Sequence, residues 1–298
     1  MQTRDWLLLV LLSVLWGGTF LFVAIALPEV PPLTLVLARC VIAAVALLAL
    51  LAALGFRLPD TTAGWRRFAV MAILNNIIPF SLIFWAQTHV PAGLASVLNA
   101  TTPLMALLVA RIIAGEAMAP HRLVGVLVGI SGVGVLVGPE ALGTASSASL
   151  VGMLAVLGAT LSYGLSGLWG RRLSEYPAPV SAASQMICSS VMLLPIAASL
   201  DRFWTLPVPS VKVLVAIAAL GILSTALAYI LFFRIMQTSG SLNVMLVTLL
   251  IPVTGVGLGY LVLGETLTLR QGLGAVVIGL SLLVIDGRVF GIKPPSKT

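Results

Sequence analysis

Charged side chains are scarce in this sequence. Only 8% of its 298 residues are Asp, Glu, Lys or Arg, against 60% hydrophobic, where soluble domains carry roughly 25% charge. So few charges cannot coat a water-soluble fold of this length. A mean hydropathy of +1.15 calls for lipid as the solvent. Histidine is limited to His89 and His121, both near the ends of apolar runs, and cysteine to Cys40 and Cys188, both inside such runs. That argues against a disulfide framework and against a metal site. There is no HExxH, no mid-run Asp pair and no mid-run Ser–His or Cys–His pair. Catalysis and a cofactor are therefore not expected. The lysines are Lys212, Lys293 and Lys297, none in mid-run, which removes the cationic cluster that a phosphate or nucleotide-sugar carrier needs.

Apolar runs are what the sequence has in abundance. Ten are long enough to span a bilayer, at about 6–27, 33–54, 68–88, 92–113, 121–138, 148–171, 178–199, 211–236, 241–263 and 271–287. Turn and charge signals separate them, among them Pro28-Glu29, Val90-Pro91, Gly115-Glu116, Pro139-Glu140, Ser239-Gly240 and Gly264-Glu265. The first run has no small-residue cleavage site before Glu29 and reads as a retained helix. The net charge of +7 sits singly or in pairs at the ends of the runs, so it is read as a topology signal and not as a nucleic-acid surface. With the N-terminus inside, the cytoplasmic loops hold twelve basic residues, from Arg4, Arg66 and Arg67 to Arg288, Lys293 and Lys297. The outer loops hold Arg202, Lys212 and Arg270. The bias places both termini in the cytoplasm of a multi-pass protein of the bacterial inner membrane.

The sequence repeats itself. Pro103 to Gly115-Glu116 matches Pro252 to Gly264-Glu265, with eleven residues between Pro and Gly-Glu in each and an offset of 149. At nearly the same offset Trp16-Gly17 faces Tyr163-Gly164, Cys40 faces Cys188, Asn75-Asn76 face Ser224-Thr225, and Gly125 faces Gly274. Five runs per half is an odd number, so the second half enters the membrane from the opposite side. The expected fold is an all-α membrane protein of ten transmembrane helices. Residues 1–140 form one five-helix repeat and 148–298 an inverted second one, in one integral unit. Such pairs place two pseudo-equivalent gates around one central site.

Ten helices, the five-plus-five repeat, Pro-x(11)-Gly-Glu closing the fourth helix of each half, Trp16-Gly17-Gly18-Thr19-Phe20 and Arg39 in the second helix resemble the drug/metabolite transporter superfamily in its EamA branch. Nearly the whole chain is covered. Among EamA-type proteins it looks most like amino-acid and metabolite exporters, including those for aromatic amino acids. The resemblance implies a cavity lined by helices 1, 3, 4, 6, 8 and 9, with helices 5 and 10 at the rear. Four-helix multidrug relatives carry a carboxylate in helix 1; here that region reads Val14-Leu15-Trp16-Gly17-Gly18-Thr19. This departure points to gradient-driven transport, with a proton-coupled multidrug exporter as the alternative.

Few polar groups are left for the interior. Every acidic residue falls at a run end or in a loop. Arg39 is the one deep charge and either bridges the bundle or meets a substrate carboxylate. Glu116 and Glu265, at matching helix ends, are expected to cap or anchor. Pro79, Pro103, Pro195 and Pro252 lie inside runs and free the carbonyls four residues earlier, at Asn75, Asn99, Val191 and Thr248. Trp16, Phe80, Tyr163 and Tyr229, with Asn75, Asn76, Asn99 and Thr248, are the candidate cavity residues. Arg39, Pro79, Pro103, Pro252, Glu116 and Glu265 are the structural or gating ones. Small-x-x-x-small pairs at Gly125–Gly129, Gly134–Gly138 and Gly255–Gly259 permit close helix contact, usually within a chain. The expected partners are a small-molecule substrate and the lipid bilayer, with no nucleic acid. A monomer is expected, with a homodimer as the lesser option.

Overall fold

The computed structural model describes residues 3–137, 147–239 and 246–286. The Pro139-Glu140 and Ser239-Gly240 breaks, the boundary between the expected repeats, Gly138 and the basic residues Arg288, Lys293 and Lys297 lie wholly or partly outside these. Among the described residues the structure is helical, with no strand. Seven helical runs of the described residues are long and apolar enough to cross a bilayer: Arg4–Ala26, Pro32–Leu54, Thr62–Ala86, Ala92–Ile113, Ser149–Leu173, Ala178–Asp201 and Val211–Met236. Pro120–Leu136, Leu250–Leu263 and Leu269–Ile285 are shorter apolar helices.

Several runs are broken, and the α-helices are numbered accordingly: α1 Thr3–Ala26, α2 Pro32–Leu54, α3 Thr62–Ala72, α4 Ile78–Ala86, α5 Ala92–Asn99, α6 Thr102–Ile113, α7 Pro120–Val137, α8 Ser147–Gly170, α9 Ala178–Asp201, α10 Val211–Gly221, α11 Ala228–Ser239, α12 Val247–Leu258 and α13 Leu269–Asp286. Proline opens many of them, with Pro31, Pro91 and Pro177 standing at N-caps, where the missing N–H costs no helical bond. Both Pro-x(11)-Gly-Glu motifs end at a left-handed glycine, Gly115 at φ 66 and Gly264 at φ 68, a conformation that side chains avoid. The third run starts at Thr62, earlier than its apolar content suggests. The Thr61 hydroxyl accepts the Gly64 N–H at 3.1 Å and draws Trp65, Arg66 and Arg67 into the helix.

Two wide, π-helical turns interrupt the third and eighth runs, at Ile73–Ile77 and Ile222–Leu227. A third, Gly259–Leu263, follows α12. Pro79 stands in the first turn of α4, directly after a π turn. Pro103 is in the first turn of α6, after a break at Ala100 and Thr101. These two prolines therefore start helices, whereas Pro195 and Pro252 lie inside α9 and α12.

Helix pairs run α1 with α12, α6 with α8, α2 with α9, and α7 with α13. Glycines set the closest approaches. A methyl on Gly17 of α1 would come within 2.9 Å of the Gly255 nitrogen on α12, and one on Gly164 of α8 within 3.1 Å of the Met105 and Ala106 backbone on α6. Gly125 and Gly274 bring α7 and α13 together, against Ser281 and Leu136 respectively. Gly134 faces open space. The outer faces are aliphatic: Val45, Leu127, Val191 and Val276 are all exposed.

Candidate substrate cavity

The broken helices surround a cavity of about 700 Å³. Its inner part lies against Trp16, Arg39, Phe84 and Ser224, and it extends to Ser174 and Ala178 beyond the end of α8. Ser174 is exposed, so the cavity opens at that end of the bundle. No described residue of α7 or α13 lines it. Arg39 and Gln185 bring α2 and α9 into the lining as well, which the resemblance had not implied.

Aromatic rings form much of its wall. Trp16 and Phe232 pack with centroids 5.6 Å apart, Phe232 and Phe233 meet edge-on at 5.4 Å, and Tyr229 stacks on Phe233 at 5.9 Å. These residues come from α1 and α11, which the π turn Ile222–Leu227 re-aims relative to α10. π turns of this kind often mark functional sites.

Arg39 is only 6% exposed. Its Nε donates to Thr225 Oγ1 at 2.9 Å, and its guanidinium lies over Phe80 at 3.9 Å, with Phe84 at 5.8 Å. Thr225 is positioned by the π turn and in turn donates to the Leu220 carbonyl. A cation on an aromatic face in a desolvated site gains about 2 kcal/mol, which offsets part of the cost of a charge at this depth.

A second polar group sits where α8 and α9 meet the other π turn. Asn75 Nδ2 donates to Gln185 Oε1 at 2.9 Å, and Ser166 Oγ donates to Asn75 Oδ1 at 3.1 Å. Asn75 also reaches the Tyr229 hydroxyl at 3.4 Å. Asn76 joins the same network, accepting from Asn75 Nδ2 at 3.3 Å and donating to Gln185 Oε1 at 3.4 Å. It is fully buried, donates to Ser189 Oγ at 2.9 Å, and does not line the cavity. Both asparagines are candidate cavity residues by sequence; Asn75 lines the cavity, and Asn76 lies behind it in the same network.

At the opposite end of the bundle three carboxylates tie helix ends together. Glu29 accepts from the Ser210 N–H at 2.6 Å and its hydroxyl at 2.8 Å. Asp201 accepts from the Thr34 N–H at 2.7 Å and its hydroxyl at 2.8 Å. Glu265 accepts from the N–H groups of Ala92 and Gly93, both at 2.8 Å. Each carboxylate sits at the start of a helix, where unpaired N–H groups favour negative charge. Hydrogen bonds from Ser210 hold the Glu29 carboxyl below the usual carboxylate range.

At the open end the ties differ. Arg67 pairs with Glu175 at 2.5 Å and Arg171 with Glu116, all four side chains being well exposed. Asp5 accepts from Ser239 Oγ at 2.7 Å and Thr238 Oγ1 at 3.1 Å. The hydrogen bond from Arg171 holds Glu116 below the usual carboxylate range.

Of the residues singled out by sequence, Trp16, Arg39, Asn75, Phe80, Asn99, Tyr163, Tyr229 and Thr248 line the cavity. Pro79, Pro103 and Pro252 shape the helices around it, and Glu116 and Glu265 stand at opposite ends of the bundle. Sequence reasoning missed Gln185, Ser166 and Thr225. Gln185 had a signal, the lone amide of the run 178–199.

A family model for the EamA-like transporter family matches residues 5–138 and again residues 150–286. The uncharacterized transporter YvbV of Bacillus subtilis is 26% identical over 96% of this chain and 92% of its own length. The uncharacterized inner membrane transporter YedA of Escherichia coli is 25% identical over 95% and 91%. A protein named as a probable amino-acid metabolite efflux pump of Escherichia coli is 24% identical over 98% and 97%. A solved crystal structure superposes with a TM-score of 0.66 at 20% identity, covering 96% of this chain and 98% of that one, a likeness of fold alone.

Proposed function

This chain belongs to the EamA-like transporter family, and from that premise we propose that it carries small amphipathic metabolites, amino acids above all, across the inner membrane by alternating access. The observation that carries the reading is the asymmetry of the cavity: one space among broken helices, open at one end and tied shut at the other. In this reading the ten helices are ten spans in two inverted halves. Support comes from paired features on either side of the chain: π turns at Ile73–Ile77 and Ile222–Leu227, left-handed Gly115 and Gly264, and the Gly17 and Gly164 contacts. The open end is then cytoplasmic, since the basic residues Arg66, Arg67, Arg171 and Arg172 cluster there.

The cavity chemistry supports a neutral or zwitterionic cargo with an apolar part. Aromatic rings supply the apolar wall, and an amide and a single cation supply the polar points. No described acidic residue lines it, so a cavity carboxylate that binds proton and drug in turn has no support.

Proteoliposomes holding the purified full-length protein test the reading. Saturable uptake of labelled amino acids, accelerated by unlabelled amino acid on the far side and unaffected by a protonophore, is the expected result. Non-saturating flux without counterflow would identify a pore. Export that collapses with the pH gradient would favour the proton-coupled multidrug exporter.

A further inference from the structure

We propose that Arg39 is the anion-docking point of the cavity and that the transported solutes carry a carboxylate. This rests on the transport reading above and names the chemical class its site would take. The side chain is more than nine-tenths buried and lines the cavity. Its Nε is satisfied by Thr225, and its face is covered by Phe80. The two terminal nitrogens have no hydrogen-bond partner among the described residues. The titratable groups around it are Tyr163, Tyr229 and Cys40, and none is a carboxylate. Described acidic side chains at the helix ends are engaged elsewhere: Asp5 by Thr238, Glu29 by Ser210, Asp201 by Thr34, Glu265 by Ala92.

A purely structural arginine would spend its fork on backbone carbonyls or an acid. This one is held through Nε and the ring face, and its terminal nitrogens are left unpaired among the described residues in a side chain that lines the cavity. A guanidinium fork matches a carboxylate by two parallel hydrogen bonds. At a buried guanidinium that pairing strengthens and also removes the cost of an uncompensated buried cation. Asn99 Oδ1 and Ser224 Oγ are buried without a partner among the described residues, and both residues belong to the same lining. Asn99 Oδ1 is an acceptor and suits the ammonium of an amino acid. The tilted Trp16 and Phe232 rings offer the apolar surface that its side chain would cover.

Purified full-length protein in proteoliposomes, with phenylalanine, phenylalaninamide and phenethylamine as labelled probes, tests the assignment. The expected result is a preference of roughly ten- to hundredfold for the acid over the amide, the size of a charge-assisted hydrogen-bond pair. R39Q should bring the ratio towards one while amide uptake persists, and R39K should keep part of it. Equal uptake of acid and amide by the native protein overturns the proposal and leaves transport standing. R39Q that keeps the native ratio, or that loses both probes equally at an unchanged melting temperature, also overturns it. Should R39Q not fold, R39K decides: a ratio cut severalfold supports the assignment, and an unchanged ratio overturns it. Melting-temperature shifts in detergent separate the two readings. Stabilisation by the acid and not the amide, without uptake of either, keeps Arg39 and removes transport.

Discussion

The two ends of the helix bundle are held by different chemistry. At the closed end Glu29, Asp201 and Glu265 bind backbone N–H groups at helix starts in the other half of the chain. At the open end Arg67–Glu175 and Arg171–Glu116 pair side chain to side chain in the open. A backbone N–H cannot rotate away from its carboxylate, so each closed-end tie fixes two helices in one register. Exposed ion pairs hold long flexible side chains and contribute little, about 0–1 kcal/mol each. In the proposed carrier the closed end is therefore the costly one to open, and the open end is the one that rearranges around a solute.

Removing Glu265 should break this contrast most. Glu265→Ala leaves the N–H groups of Ala92 and Gly93 without acceptors, and each charge-assisted bond is worth about 1.5–3 kcal/mol. We expect a lower melting temperature and loss of coupled exchange in favour of leak, read by efflux with no solute on the far side. Gly259→Ala should do the same more weakly, because its methyl would come 2.7 Å from Glu265 Oε2.

Asn75→Ala should come next. It removes the hub joining Gln185, Ser166 and Tyr229 without touching either end. Polar contacts between membrane helices are worth about 0.6–2 kcal/mol, so stability should fall by about 1 kcal/mol while the apparent affinity for solute drops severalfold. Unchanged transport would show that the network only packs.

Acid should weaken both ends together. The Glu29 and Glu116 carboxyls titrate below their ordinary range in the folded chain. Each therefore adds stability above the usual carboxylate value of about 4.3, and that stability is lost as pH falls through the lowered folded value. Melting temperature should be flat near neutrality and drop below about pH 4.3, less steeply in Glu29→Gln. The smallest effect should be Arg67→Ala, below about 1 kcal/mol and vanishing in high salt.

How much the sequence discloses depends on whether a feature is local. The apolar runs follow from composition, and the left-handed stops at Gly115 and Gly264 follow from a residue that alone takes them without strain. The breaks inside runs are less legible. Pro79 and Pro103 read as kinks, but whether a proline bends a helix or starts one depends on the turn before it. At the first two π turns Ser162 donates to the Leu74 carbonyl and Thr225 to the Leu220 carbonyl. Only the second of these partners is near in sequence. Likewise Glu116 and Glu265 are equivalent by position yet meet different partners, an arginine in one case and two backbone N–H groups in the other. That difference belongs to the conformation adopted by the chain, and no single sequence encodes it.

One-sided access is tested most directly at Gly167, which lines the cavity and where a side chain would meet nothing. With Cys40 and Cys188 replaced, Gly167→Cys should react with a membrane-impermeant maleimide from the cytoplasmic face. It should be silent from the outer face until Glu265→Ala is added. Simultaneous labelling from both faces of the otherwise native protein would contradict a carrier with one closed end, and so would labelling from the outer face alone.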